Sequence, residues 1–313
     1  MNLRSASNLL AQLTHALGKD SAQAELRWMR QTLSHPPPGL PSTAGSLEEM
    51  VARRISGEPL QYILGSQPFG PLNLAVRRPV LIPRPETEDW TLRLSEMLTP
   101  TASNPVKLLD LCTGTGCIPL LLCHQWPQGA VNATGIDINP AAAQLAELNA
   151  QLNGLPVDAD NTKRPRPLQP ARNRFSTEVA DLLRDDFTAQ AHLEPPYDVI
   201  TANPPYIPHD EYSELPASVK DYEDVRALLG DSPDAARLGL SPTDRTKGLT
   251  FYHRIAALVG AGLLRRGGGV LVLEVGRGQA VDVAAIVERT ARLSDITVWK
   301  DPWDIERVVV ARS

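Results

Sequence analysis

Lys107-Leu-Leu-Asp-Leu-Cys-Thr-Gly-Thr-Gly-Cys117 decides the fold. A short apolar strand, Lys107 to Leu111, runs into Gly114 and Gly116 and then into an apolar helix from Ile118 to Gln125. Glycines at that corner let the chain turn sharply and bring its backbone close to a ligand that a Cβ would exclude. The dinucleotide fingerprint calls for a third glycine three residues after the second, where this chain has Pro119. With Asp110 near the strand end, the pattern favours S-adenosylmethionine over a pyrophosphate-containing cofactor. The next strand, Val131 to Ile136, ends in Asp137, about 20 residues past the glycines, where a carboxylate accepts hydrogen bonds from both ribose hydroxyls.

Working outward, short apolar strands alternate with helical stretches, as in a parallel sheet built from βα units. The remaining strands are read at Tyr197 to Thr201, Val270 to Val275, Ile296 to Trp299 and Arg307 to Ala311. Helices are predicted at Pro140 to Asn153, Tyr252 to Leu264 and Gln279 to Leu293. Residues 154–174, rich in proline and basic side chains, read as a flexible surface insertion. Toward the N-terminus, apolar positions three or four apart predict helices at Leu9 to Leu17, Ala22 to Leu33 and Leu47 to Ile55. The prolines between His35 and Pro41 separate the last two. Leu72 to Val76 and Val80 to Ile82 read as the arms of a hairpin. The expected organisation is a helical domain over 1–65, a hairpin linker over 66–87 and an α/β domain over 88–313.

Composition narrows the chemistry. Lys+Arg 31 against Asp+Glu 36 leaves a net charge of −5, which disfavours a protein whose main task is gripping phosphate backbones. The longest apolar run, Cys117 to Cys123, falls far short of the ~18 residues of a spanning helix, predicting a soluble chain. The three cysteines form no CxxC pair and no histidine cluster has zinc spacing, so neither a disulfide framework nor a metal is expected. Residues 1–19 carry Arg4 and Lys19 but no Asp or Glu, the composition of a mitochondrial transit peptide. Leu9, Leu10, Leu13 and Leu17 equally suit the first helix of a folded domain. The expected location is the mitochondrial matrix, with the cytoplasm as the alternative.

Asn203-Pro-Pro-Tyr206 follows a strand and so lies at the carboxyl end of the sheet, where open α/β folds bind ligands. Two prolines remove two N–H donors and leave carbonyls free to accept. The Asn203 side chain adds an acceptor and Tyr206 a flat face. Such a site suits a planar NH2 group, its hydrogens held by Asn203 and the Pro204 carbonyl while its nitrogen faces a sulfonium methyl. Positioning alone then drives transfer, which accounts for a motif without His, Cys or carboxylate.

Gly57-Glu-Pro-Leu-Gln-Tyr-Ile-Leu-Gly65, Leu81-Ile-Pro-Arg-Pro-Glu-Thr-Glu88, Asp110 to Gly116, Gly135-Ile-Asp137, Asn203-Pro-Pro-Tyr-Ile207, Tyr222-Glu-Asp-Val-Arg-Ala-Leu228, Leu273-Glu-Val-Gly276 and Asp304-Ile-Glu-Arg-Val308 together resemble the HemK/PrmC family of release-factor glutamine methyltransferases, across nearly the whole chain. The resemblance implies a helical N-terminal domain, a hairpin linker and a seven-stranded, Rossmann-like class I methyltransferase domain. It implies methylation of the Gln in the Gly-Gly-Gln motif of class-1 peptide-chain release factors, with S-adenosyl-L-methionine as cofactor. Carried over by motif, the cofactor residues are Asp110, Cys112, Thr113, Gly114, Thr115, Gly116, Asp137 and Asn203, with Asp181 and Leu182 on the adenine side. The glutamine site falls on Asn203, Pro204, Pro205 and Tyr206. Cys112 stands where the family usually has glycine, and the proline-rich break and the 154–174 insertion lengthen the chain.

Three rival readings remain. An adenine-N6 nucleic-acid methyltransferase would hold an exocyclic amine in the same motif, but it predicts a basic, aromatic-lined recognition region, and aromatic residues are 5% of this acidic chain. A glutamine methyltransferase of a ribosomal protein is a closer sibling, from which the Pro-Glu-Thr-Glu segment separates this chain. A non-catalytic adaptor that binds the cofactor has no use for an intact Asn203 to Tyr206.

Overall fold

The computed structural model describes residues 3–36, 45–156 and 172–313. Among the described residues, four helices come first: α1 (Leu3–Leu17), α2 (Lys19–Ser34), α3 (Leu47–Ile55) and α4 (Leu60–Leu64). Leu9, Leu13, Leu26, Met29, Met50 and Ile63 bury their apolar stripes in one shared core. The N-terminal leucines thus belong to a folded helix. Ser46 caps α3, accepting from Glu49 N while the Glu49 carboxylate accepts from Ser46 N.

A two-stranded antiparallel hairpin follows, with arms β1 (Ser66–Phe69) and β2 (Leu72–Ala75). The expected second arm, Val80 to Ile82, is not a strand. Pro79 and Pro83 flank it, removing ladder donors, and the Ile82 N–H donates to the Glu223 carboxylate at 3.4 Å instead. Helix α5 (Pro85–Met97) then begins with proline in its first turn, inside the span expected to be linker, and sends Trp90 and Leu94 into the main core.

The main sheet has seven strands: β3 (Val106–Leu111), β4 (Val131–Asp137), β5 (Arg174–Val179), β6 (Val199–Ala202), β7 (Val270–Glu274), β8 (Asp295–Lys300) and β9 (Glu306–Arg312). Their order is β5-β4-β3-β6-β7-β9-β8, parallel except for β9, which runs antiparallel to both neighbours. Leu109, Leu111, Ile200 and Leu271 face one side, packed with Tyr252 and Ile255 of the helix Thr250–Gly260. Leu108, Val199 and Val272 face the other, against α5, α6 (Cys117–Gln125) and α7 (Pro140–Leu152). The expected seven-stranded, Rossmann-like α/β sheet is present, with helices on both faces.

Strand β5 was not legible in the sequence. It is an edge strand with one fully buried side chain, Phe175, and polar neighbours, and it starts where the insertion was expected to continue. The buried Asn173 fixes its start: its side chain accepts from Ala130 N and Val131 N and donates to the carbonyls of Cys123 and Trp126. Most of the expected 154–174 insertion lies outside the described residues, but its last residue, Arg174, opens β5 and belongs to the sheet.

Connections leave β3 toward β4 on one side and β6 toward β7 on the other, so the chain order reverses between β3 and β6. A crevice opens at such a switch point, beyond the carboxyl ends of the strands. The register pairs Leu111 with Ala202, so the loops that begin at Cys112 and Asn203 emerge side by side.

Candidate functional site

A cavity of about 310 Å³ sits in that crevice, within the size range of small-molecule sites. Cys112, Gly114, Asp137, Asp181 and Leu182 line one part, and Asn203 and Pro205 another. The two expected sites therefore form one continuous space. Asp110, Thr113, Thr115, Gly116, Pro204 and Tyr206 are not part of the lining.

The glycine corner divides its work. A Cβ at Gly116 would come within 3.0 Å of the Ala146 Cβ, so this residue lets α6 pack tightly on α7. A Cβ at Gly114 would meet nothing within 4 Å, because Gly114 faces the cavity. Both have positive φ, as does Cys112 at 60°. A left-handed non-glycine residue costs on the order of 1 kcal/mol, so Cys112 carries that strain at the corner. The Cys112 thiol is pushed well up by burial and by the Asp137 and Asp110 carboxylates, so it stays neutral and a poor nucleophile.

Asp137 ends β4 with both carboxylate oxygens anchored: one accepts from Gly114 N at 2.9 Å, the other from Asn139 N at 2.8 Å. Burial raises its pKa and these two N–H groups oppose the rise. Each oxygen keeps a lone pair for a ligand hydroxyl. Ile138 stands beside it, 41% exposed, offering an apolar face at the cavity wall. Asp110 lies beneath the loop, fully buried, accepting from the Thr201 hydroxyl at 2.6 Å across the β3–β6 pair. Burial raises its pKa to about 7, against the pull of that hydrogen bond.

Asn203 Nδ2 donates to the Thr87 hydroxyl at 3.3 Å. Tyr206 is half-buried against the sheet core, its carbonyl accepting from Gln279 Nε2 at 2.8 Å and its phenol pushed upward by burial. It braces the loop from behind.

Several contributors had no role assigned from sequence. Asn149, fully buried on α7, holds both the N–H and C=O of Ala75 and donates to the Thr115 carbonyl at 3.0 Å, tying the hairpin to the glycine corner. Asp224, Val225 and Arg226 cover the cavity from the segment 222–228. Asp224 accepts from Asn139 Nδ2 at 3.1 Å and pairs with Arg226 at 2.7 Å. Glu223 is buried behind them and pairs with Arg84 at 2.6 Å. The only sequence signal for this cover was the motif match over Tyr222 to Leu228, because its partners lie far away along the chain.

An acidic cavity beside anchored carboxylate oxygens, with an apolar wall, fits a cationic, hydroxyl-bearing nucleoside such as S-adenosylmethionine. Residues 11–65 match the PrmC N-terminal domain family. A release factor glutamine methyltransferase of Thermodesulfovibrio yellowstonii is 33% identical over 267 residues, covering 85% of this chain and 81% of that protein. A second, from Geobacter sulfurreducens, is 31% identical over 305 residues, covering 94% and 91%. Among solved structures, the release factor-specific protein-(glutamine-N5) methyltransferase of Alicyclobacillus acidocaldarius is 25% identical, covering 74% of this chain and 93% of that one, with a TM-score of 0.38. With identity above 30% sustained over most of both chains, this chain belongs to the family of release factor glutamine methyltransferases.

Proposed function

We propose that the protein methylates the side-chain amide nitrogen of the Gln in the Gly-Gly-Gln motif of a class-1 peptide-chain release factor, using S-adenosylmethionine. The observation that carries this reading is the single cavity joining Asp137 to Asn203 and Pro205. Bound there, S-adenosylmethionine supplies an electrophilic methyl group on a sulfonium centre. Asp137 would hold the ribose hydroxyls, and Ile138 and Leu182 would flank the base. Asn203 would present its side-chain oxygen to one hydrogen of the glutamine NH2, with the Pro204 carbonyl as the second acceptor, which orients the nitrogen lone pair. An amide nitrogen is weakly nucleophilic, so orientation and exclusion of water are what these residues contribute. The alkylated nitrogen then releases its proton to solvent. A Gln between glycines enters a narrow crevice because no neighbouring Cβ obstructs it.

Incubating enzyme, S-adenosylmethionine and release factor, then fragmenting the product by mass spectrometry, should place one added methyl on that Gln. The Gln→Glu release factor should be inert, since a carboxylate brings no N–H to Asn203. A methyl on a ribosomal-protein glutamine or on adenine, with release factors untouched, would overturn the substrate assignment. Residues 1 to about 65 are proposed to recognise the release factor, since the residues assigned to cofactor and chemistry lie beyond them. The proposed location is the mitochondrial matrix, supported by the acid-free composition of residues 1–19. Because Leu9 and Leu13 are buried in the helical core, import would leave α1 attached. Recovery from the cytosolic fraction alone would overturn that location.

A further inference from the structure

Two matched segments, Pro85-Glu-Thr-Glu88 and Leu273-Glu-Val-Gly276, play no part in the mechanism above, yet they meet directly behind Asn203. The Thr87 hydroxyl donates to Glu274 Oε2 at 2.6 Å, and Trp90 Nε1 donates to the same oxygen at 2.8 Å. Asn203 Nδ2 donates to Thr87 Oγ1 at 3.3 Å. Thr87, Trp90 and Glu274 are all buried, at 2% exposure or less.

The direction of every bond in this chain follows from one residue. An indole N–H can only donate, so Glu274 Oε2 must accept. The Thr87 hydroxyl, with a single hydrogen, must then spend it on the same oxygen. Its own oxygen can only accept, so the end of the Asn203 amide that faces it must be the NH2. The carbonyl end, Oδ1, is thereby left to the cavity. A flipped amide would set Oδ1 against the Thr87 oxygen with no hydrogen between them. This ordering holds for the ionised carboxylate and equally for an acid that carries its proton on Oε1, since in both cases Oε2 has only acceptor capacity.

We propose that Thr87, held by Glu274 and Trp90, is a positioning residue that fixes the Asn203 amide with its oxygen toward the substrate nitrogen. This inference rests on the glutamine-methylation reading and deepens it. Without the relay this selection between the two amide flips is lost, and the wrong flip presents an NH2 group to an incoming NH2.

Thr87→Val keeps the shape and removes both roles of the hydroxyl, whereas Thr87→Ser keeps them. Thr87→Val should lower kcat about tenfold or more, with the KM for release factor and the affinity for S-adenosylmethionine held within about threefold. Thr87→Ser should restore the rate. In cofactor-free protein, proton exchange at the Asn203 side-chain amide, followed by NMR, should be slow in the parent and in Thr87→Ser and faster in Thr87→Val. If Thr87→Val does not fold, Thr87→Cys, a weaker donor and acceptor of similar size, should show the same losses. A folded Thr87→Val or Thr87→Cys enzyme with near-parental kcat, or unchanged exchange at Asn203, would overturn the relay. A parent enzyme that methylates no release factor would instead fail the functional reading, and the exchange measurement would still decide the relay.

Discussion

Asp137 and Asn203 occupy one cavity and should fail in different ways. Asp137→Ala removes two acceptors already held in place by Gly114 and Asn139. Calorimetry should show S-adenosylmethionine affinity falling some tens- to hundreds-fold, about 2–4 kcal/mol. Asn203→Ala should bind the cofactor within a few-fold of the parent and lose nearly all transfer in single-turnover assays. Asp110 makes a separate prediction about stability. Its folded pKa, near 7, lies above the usual carboxylate value, so the folded state holds a proton that the unfolded chain releases. Stability from this group is full below about pH 4 and lost as pH rises toward 7, a change on the order of 3 kcal/mol. Denaturant melts of the parent against Asp110→Asn should converge at low pH and diverge at neutral pH, with the variant the more stable. Asp137 and Asn203 were legible because glycines and prolines mark their loops. Glu274 and Asn149 were not, because an isolated polar residue in an apolar stretch does not announce partners on distant segments.

At the level of elements, the two glycines of the corner give opposite outcomes. Gly116→Ala places a methyl against Ala146 with φ at 77°, so α6 must shift away from α7. It should destabilise the protein by about 2–4 kcal/mol, combining left-handed strain with overpacking. Gly114→Ala meets no protein atom. It should cost about 1 kcal/mol of stability and lower cofactor affinity, because the added methyl occupies the cavity. Thermal melts with and without S-adenosylmethionine separate the two. Periodicity and flanking glycines made β3, β4, α6 and α7 readable within a residue or two. Mixed signals hid the polar edge strand β5 and gave a false strand at Val80 to Ile82, whose alternating burial mimics a strand while prolines forbid the ladder.

For the whole molecule, the separate core of α1–α4 predicts that recognition and cofactor binding come apart. A chain starting near residue 66 should keep cofactor affinity, checked by calorimetry, and fail to methylate a folded release factor. Equal methylation by the shortened chain would refute the assignment. The antiparallel β9 departs from the parallel sheet expected, its pairing with β7 and β8 being set by the sheet edge rather than by a βα unit. The α/β class was legible because each βα unit is local. The site's assembly was not, because Arg84 reaches Glu223 and Thr87 reaches Glu274 across 139 and 187 residues of chain. That last separation bears on biosynthesis. During translation, Asn203 leaves the ribosome well before Glu274, and β7 in turn waits for β9 to fill the gap beside it. Contacts of such high sequence separation form late, after most of the loop entropy has been lost. A nascent chain can therefore complete its glycine corner while its acceptor site is still unset, and methyl transfer should begin only once the last strands have been made.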